Sequence, residues 1–353
     1  MIRSNFFKKS ASIAVSALFA GSLLSSNAFS QDPNFYIFLA FGQSNMDGAG
    51  AIEAQDKTGI SDRFRVMYPA DNDAGRTKGK WATAIPPLCR STTKLCPADY
   101  FGRTLIDSLP SNIKIGIINV SIPGTKIEVF VKESYQSYLS GLSSQDKYIK
   151  DYANNSYGGN PYGRLVEMGK LAQKDGVIKG FLLHQGESNP NDAQWVKKVK
   201  SIYDNFLTEF SLKASETPLL AGELLYTNKG GACGAFNTYI NSLHDAIPNA
   251  HAISADGLTG VDQYHFTSAS YRTFGKRYAD TMLTILRKQS TGVIARNNLT
   301  VKNYKNTAIT SLYSIDGKKI PAGSVQNLTA GKKHCVYVMQ TLGKQASLVV
   351  KPE

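Results

Sequence analysis

Apolar residues fall into short unbroken runs along most of this chain, separated by longer amphipathic stretches. The runs are "FYIFLAF" (35–41), "KIGIINVSI" (114–122), "IKGFLLHQG" (178–186), "TPLLAGEL" (217–224) and a weaker "AHAISAD" (250–256). A strand with one wet face alternates apolar and polar positions, whereas an unbroken run marks a strand buried on both faces. The stretches between them read as helices at 98–109, 161–176, 193–215 and 268–289. Pro161 and Gly176 punctuate the second of these as helix start and stop signals do. Buried strands alternating with helices predict a parallel sheet covered on both faces, an α/β three-layer (α/β/α) fold. In such sheets the working residues lie in loops beyond the carboxyl ends of the strands. Ser44, Gly124, Gln185 and Glu187 all follow such ends.

Two regions break the pattern. Residues 129–160 are long, rich in Tyr and Ser, and without a clean period, so they read as an insertion or loop over the site. After about residue 290 the chain turns polar and β-like, with Asp316-Gly317 as a hairpin signal. The expected organisation is therefore a main domain at 31–290 and a small all-β module at 291–353.

Residues 1–30 read as a secretory signal peptide. Arg3, Lys8 and Lys9 precede a short apolar run, and Ala28 and Ser30 sit at −3 and −1 of a cut near Ser30–Gln31. The run is short for a membrane span. The mature chain is then secreted, or held at the cell surface or in the periplasm; an uncleaved anchor is the alternative. The net charge of +13 suggests nucleic acid until its distribution is read. Residues 1–30 hold three basic residues and no acid, and 291–353 hold nine basic and two acidic. The body, 31–290, has 28 basic against 25 acidic residues, so a neutral partner fits better than a polyanion.

Export permits disulfides. Of the four cysteines, Cys89 and Cys96 close the short loop "CRSTTKLC" and form the one candidate bridge. No cysteine or histidine spacing suggests a metal site, and no cofactor is expected.

Hydroxyl catalysis needs a serine, a base, a group that orients the base, and donors for the developing oxyanion. Ser44 leaves the first apolar run in "GQSNMDG", a turn of glycine and small polar residues. Five histidines compete for the role of base. His334 lies in the tail, His244 at a helix end and His251 at a strand start. His265 stands apart, because Asp262 precedes it by three residues. D-x-x-H within a turn lets the carboxylate reach Nδ1–H and fix the tautomer. Glu187 is the other acid that could orient His265, alone or together with Asp262.

Ser44 in G-Q-S-N, the block "HQGESN" (184–189) and D-x-x-H at 262–265 occur in that order. The combination resembles the SGNH hydrolase superfamily and, more narrowly, the carbohydrate esterase family six and sialate O-acetylesterase group, over roughly 35–290. The resemblance implies Ser44 as nucleophile, His265 as base and Asp262 as its acid. It implies an oxyanion hole from the Ser44 and Gly124 N–H groups and the Gln185 amide. His184 and Glu187 become pocket or supporting residues, and Asn45 a brace for the loop. Leu183 replaces a frequent Trp and Asn189 a frequent Asp, which puts the sugar pocket in doubt, and Pro123 replaces the first glycine of the family's glycine pair. The implied substrate is an O-acetylated oligo- or polysaccharide of the acetylxylan type, deacetylated through acetyl-Ser44. A sialate O-acetylesterase and a non-catalytic carbohydrate-binding protein are the alternatives. The tail, "YSIDGKKI…NLTAGKKHCVYVMQTLGKQASLVVKPE", resembles type IX secretion sorting domains, which implies an outer-membrane secretion machinery as partner. It departs from them at His334-Cys335, and a generic β or carbohydrate-binding module is the runner-up.

Overall fold

The computed structural model describes residues 31–296 and, in the tail, the strands at 309–314, 319–320, 336–341 and 347–350. The signal-peptide reading of residues 1–30 lies outside the described residues, as do His334 and Cys335.

Seven strands form one sheet: β1 (Asp32–Gly42), β2 (Phe64–Met67), β3 (Trp81–Thr83), β4 (Lys114–Ser121), β5 (Gly176–His184), β6 (Leu219–Gly222) and β7 (Ala250–Ile253). Their order is β3-β2-β4-β1-β5-β6-β7. Every neighbouring pair is parallel except β2 with β3 at the edge. The helices are α1 (Ser44–Asp47), α2 (Pro97–Ser108), α3 (Tyr135–Ser140), α4 (Lys147–Tyr157), α5 (Pro161–Ala172), α6 (Trp195–Phe210), α7 (Asn237–Asn241), α8 (Leu243–Ala246) and α9 (Ser268–Arg296).

The first apolar run shows why the sheet is covered twice. Phe35, Ile37, Leu39 and Phe41 of β1 point into a core shared with α5 and α6. Phe38 and Ala40, on the other face, join a second core with α2 and α9. Side chains alternate across a strand, so a run apolar at every position fills both layers. The α/β three-layer architecture read from the sequence is the observed one.

Strand order reverses at β1. The chain first builds β2, β3 and β4 on one side of β1, then crosses to build β5, β6 and β7 on the other. Such a switch point opens a crevice at the carboxyl ends of the strands. The register brings Gly42 level with Ser121 of β4 and with His184 of β5. A Cβ on Gly42, whose φ is +151°, would lie 2.1 Å from the His184 carbonyl oxygen. Only glycine lets β1 stop there and turn into the crevice.

The differences from the expected elements have local causes. β2 and β3 were not foreseen, because strands of four and three residues are too short to show a period. α5 ends at Ala172 and β5 already starts at Gly176, so the helix expected at 161–176 is a turn too long. α6 stops at Phe210, since Ser211 adopts a left-handed conformation with φ 54°. The 129–160 stretch is helical where a loop was expected: α3 and α4 lie there, and Ile149, Ala153 and Tyr157 anchor α4 in the core. Three buried apolar residues on an eleven-residue helix are a sparse stripe in a Tyr- and Ser-rich stretch. In the tail, β8 (Ile309–Ser314), β9 (Lys319–Ile320), β10 (Val336–Thr341) and β11 (Ser347–Val350) form an antiparallel sheet in the order β11-β10-β8-β9.

Phe206 on α6 joins the helix layer to the sheet, with its ring centroid 5.5 Å from Phe41, 5.2 Å from Phe181 and 5.4 Å from Tyr162. Phe206→Ala is expected to cost about 3–5 kcal/mol in urea unfolding, through lost transfer energy and the cavity left behind. A cost below about 1 kcal/mol would show that this contact does not hold the layers together.

Candidate active site

Ser44 opens the one-turn helix α1 directly after β1, with Gln43 as an extended cap. The Ser44 N–H, at the very start of the helix, has no intrahelical partner. Gln43 fastens this turn to the end of β5. Its N–H donates to the His184 carbonyl (3.0 Å), and its Oε1 accepts from the N–H groups of Gly186 (3.4 Å) and Ser188 (3.2 Å).

His265 sits on a loop pinched by a bridge between Gly260 and Phe266, just before α9. Asp262 organises that loop. Its Oδ1 accepts from the N–H groups of Tyr264 (2.7 Å) and His265 (2.8 Å), which leaves Oδ2 to face His265 Nδ1 at 2.8 Å. On the opposite side of the ring, Nε2 lies 2.9 Å from Ser44 Oγ. A carboxylate at Nδ1 selects the tautomer protonated there, so the Nε2 lone pair faces the serine hydroxyl. Partial burial pushes the Asp262 carboxyl up. Its bond to His265 and the two backbone N–H groups outweigh that, and its pKa lies below the ordinary value. A hydroxyl joined in this way to an imidazole and a carboxylate can surrender its proton as the oxygen attacks an acyl carbon.

Asn45, beside the serine and fully buried, ties this loop to the rest of the site. Its Nδ2 donates to Glu187 Oε1 (2.6 Å) and to the Tyr264 carbonyl (3.0 Å), and its Oδ1 accepts from the Tyr271 hydroxyl of α9. Glu187 therefore contacts Asn45, while the acid at His265 Nδ1 is Asp262. His184 is fully buried, with Nε2 3.2 Å from the Glu223 carbonyl and Nδ1 3.7 Å from Glu187. Burial pushes its pKa down.

Gly124 follows β4, the neighbour of β1, with φ +70°, and no hydrogen bond to its N–H is found among the described residues. Ser44 and His265 open into a pocket of about 410 Å³, whose walls include Asp47, Arg90, Pro123 and Tyr152. Arg90 and Asp47 form a buried ion pair at 2.7 Å, and Arg90 Nη1 also donates to the Ser121 carbonyl and the Tyr157 hydroxyl. Asp47 was read only as a turn residue, and nothing in "PPLCRST" distinguishes Arg90 from a surface arginine. Among the described residues no group of three or more His, Cys, Asp or Glu side chains is placed to hold a metal ion.

With this geometry in view, residues 34–284 match the model of the family described as "carbohydrate esterase, sialic acid-specific acetylesterase". The chain belongs to this family. It is thereby a carboxylic ester hydrolase acting on acetylated carbohydrate. Three solved structures share the fold. A protein from Arabidopsis thaliana has a TM-score of 0.53 at 18% identity, with 72% of this chain and 99% of that chain covered. NanS has a TM-score of 0.52 at 17% identity, with 72% and 99% covered. A carbohydrate acetylesterase from Xanthomonas citri has a TM-score of 0.50 at 18% identity, with 87% of this chain covered but only 63% of that longer chain.

Four expectations for this esterase are corrected by the structure. Gln185 is not free to donate to a substrate oxygen. Its Nε2 is directed at Asn189 Oδ1 (2.6 Å), Gln43 Oε1 (3.1 Å) and the Thr125 carbonyl (3.3 Å), and its Oε1 accepts from Trp195 Nε1 at 2.5 Å. Of the two roles expected for His184 and Glu187, the pocket wall is the one that fails: both are buried and neither lines the pocket, while Glu187 supports the serine turn through Asn45. Cys89 and Cys96 are free thiols. Cys89 Sγ faces the Asn119 carbonyl (3.4 Å) and the Tyr157 hydroxyl (3.3 Å), whereas Cys96 caps α2. Burial pushes the Cys89 thiol up to about 12. The substitutions beside and within the "HQGESN" block also leave the pocket untouched: Leu183 is core, and Asn189 is buried scaffold. Asn189 accepts from the Ile127 N–H and donates to the carboxylates of Glu128 and Asp192 (3.0 Å each), a pairing that an aspartate could not donate to.

Gln185→Ala would leave Trp195 Nε1 without a partner, while Gln43 Oε1 and Asn189 Oδ1 keep their backbone donors. The expected result in urea unfolding is a loss of about 1–3 kcal/mol for the one group left unpaired. Unchanged stability with lost activity would return Gln185 to the oxyanion hole.

Proposed function

We propose that this chain is a secreted serine esterase that removes O-acetyl groups from polysaccharide of the acetylxylan type through an acetyl-Ser44 intermediate. The observation that carries the reading is the hydrogen-bonded chain Ser44 Oγ–His265 Nε2 (2.9 Å) and His265 Nδ1–Asp262 Oδ2 (2.8 Å) at the floor of an open pocket. His265 accepts the Ser44 proton as Oγ attacks the acetyl carbonyl carbon. The carbonyl electrons move onto oxygen, where the Ser44 and Gly124 N–H groups stabilise the charge; one such donor is worth about 3–4 kcal/mol. On collapse the sugar oxygen leaves and takes the proton from His265. Water then attacks acetyl-Ser44 with His265 as base again, and acetate departs. Asp262 holds the imidazole tautomer and supports its positive charge.

The acetylxylan reading rests on the sequence resemblance to carbohydrate esterase family six. Sialate O-acetyl esters are the second reading, favoured by the description of the matched family. Secretion rests on the basic, apolar and small-residue pattern of residues 1–30. Passage through an outer-membrane machinery rests on the tail resemblance alone.

Acetate release from 4-nitrophenyl acetate and acetylated xylan is expected for the wild type and lost in Ser44→Ala. Equal rates for the two proteins on every acetyl ester would sink the proposal. Side-by-side kcat/KM on acetylated xylan and on O-acetyl sialic acid chooses between the sugars. Asp262→Ala is expected to lower kcat by about 10³–10⁴-fold. Glu187→Ala, acting only through Asn45, should lower it less, and the reverse ranking would overturn the assignment of the acid.

A further inference from the structure

Five large apolar side chains are markedly exposed among the described residues; two of them line the Ser44 pocket, and two more stand beside Gly124 and His265. These four are Tyr148 (43% exposed), Tyr152 (36%), Val261 (65%) and Tyr264 (43%). Single exposed apolar side chains are ordinary, but a cluster around one pocket marks a binding surface. Tyr152 and Val261 line the pocket itself, and Tyr264 directly precedes His265.

The two tyrosines of α4 are held in place. At i and i+4 they share one helix face. Ile149, Ala153 and Tyr157 bury another face of α4 in the core, which fixes the helix rotation. The Tyr152 ring is backed by the Arg90 guanidinium, 4.7 Å from its centroid, and Arg90 is itself anchored by Asp47, the Ser121 carbonyl and the Tyr157 hydroxyl. The Tyr148 hydroxyl stands over Gly124, where a Cβ would meet it at 2.0 Å. It makes no hydrogen bond among the described residues, so a donor and acceptor is free beside the proposed oxyanion glycine.

Resting on the esterase reading above, we propose that the Tyr148–Tyr152 face of α4 is a sugar-stacking surface. It takes the pyranose ring next to the one that carries the ester, with the exposed Tyr264 ring beside His265. The preferred substrate is then an acetylated chain of at least two sugars, not an acetylated monosaccharide. A pyranose combines an apolar C–H face with a hydroxyl rim. That fits aromatic rings at the mouth and the polar walls formed by Asp47, Arg90 and Asp262 below. A lipid acyl chain would need a continuous apolar groove, which these walls interrupt.

The test compares wild type, Tyr148→Ala, Tyr152→Ala and Tyr152→Phe, using the full chain. The substrates are acetylated xylo-oligosaccharides, O-acetylated sialyl oligosaccharides, the matching acetylated monosaccharides and 4-nitrophenyl acetate. Each alanine variant is expected to lose at least about tenfold more kcat/KM on the oligosaccharide than on its monosaccharide, carried in KM, and Tyr152→Phe should restore it. Losses equal across all esters, or ratios within about twofold of wild type, overturn the proposal. The second arm does not need turnover. Calorimetric titration of Ser44→Ala and of Ser44→Ala/Tyr152→Ala with acetylated oligosaccharide should show about tenfold weaker binding in the double variant. Equal binding overturns the stacking surface even if the esterase reading stands. If the wild type hydrolyses no acetyl ester, the esterase reading fails and this titration still decides the surface.

Discussion

Asn45 ties together three segments that are remote in the chain. Its amide donates to Glu187 after β5 and to the Tyr264 carbonyl beside His265, and accepts from Tyr271 on α9. Ser44 is the next residue, so the 2.9 Å spacing between its hydroxyl and His265 Nε2 depends on this buried amide. A hydrogen bond to a charged partner contributes about 1.5–3 kcal/mol, and leaving the partner buried without it costs more. Asn45 can do this because Gly42 lets β1 end level with β4 and β5, and Gln43 fastens the turn to β5.

What the sequence showed follows from how each signal is encoded. The central strands were legible because burial on both faces leaves few polar positions in the run, whereas β7, at the edge and half exposed, gave the weakest signal. Ser44, Asp262 and His265 were legible because their geometry is local: one turn after a strand, and one three-residue spacing. The short strands β2 and β3 carry no such signature. Gln185 was assigned as a donor by resemblance, yet its neighbours claim its amide, and those neighbours come from four separate segments. Cys89 and Cys96 are close in sequence, but each thiol faces its own buried partners. Spacing cannot report on contacts of that kind.

A layer of buried polar side chains lies beneath the pocket: Gln43, Gln185, Asn189, His184 and Glu187. Most of it is fully paired, as a dry polar network must be if it is to hold one arrangement. Two atoms are not. His184 Nδ1 and Glu187 Oε2 are buried without a hydrogen-bond partner. The unpaired cost is concentrated at the Glu187 carboxylate that receives the Asn45 amide, the point where the serine turn and the loop after β5 meet. A carboxylate there is a strong acceptor for Asn45, and His184 Nδ1 lies 3.7 Å from it.

The placement of the two acids also explains how few ties the site needs. Asp262 and His265 share one short loop, and Asp262 fixes that loop through two backbone N–H groups before it meets the imidazole. The imidazole and its carboxylate therefore move as a unit. Had Glu187 been the partner at Nδ1, the ring would depend on the relative position of β5 and the loop before α9, and a sub-ångström shift between them would break the contact. With Asp262 in that role, a shift alters only the distance between the unit and Ser44. That is the one separation Asn45 spans, because it is bonded to the Tyr264 carbonyl on one side and is the covalent neighbour of Ser44 on the other.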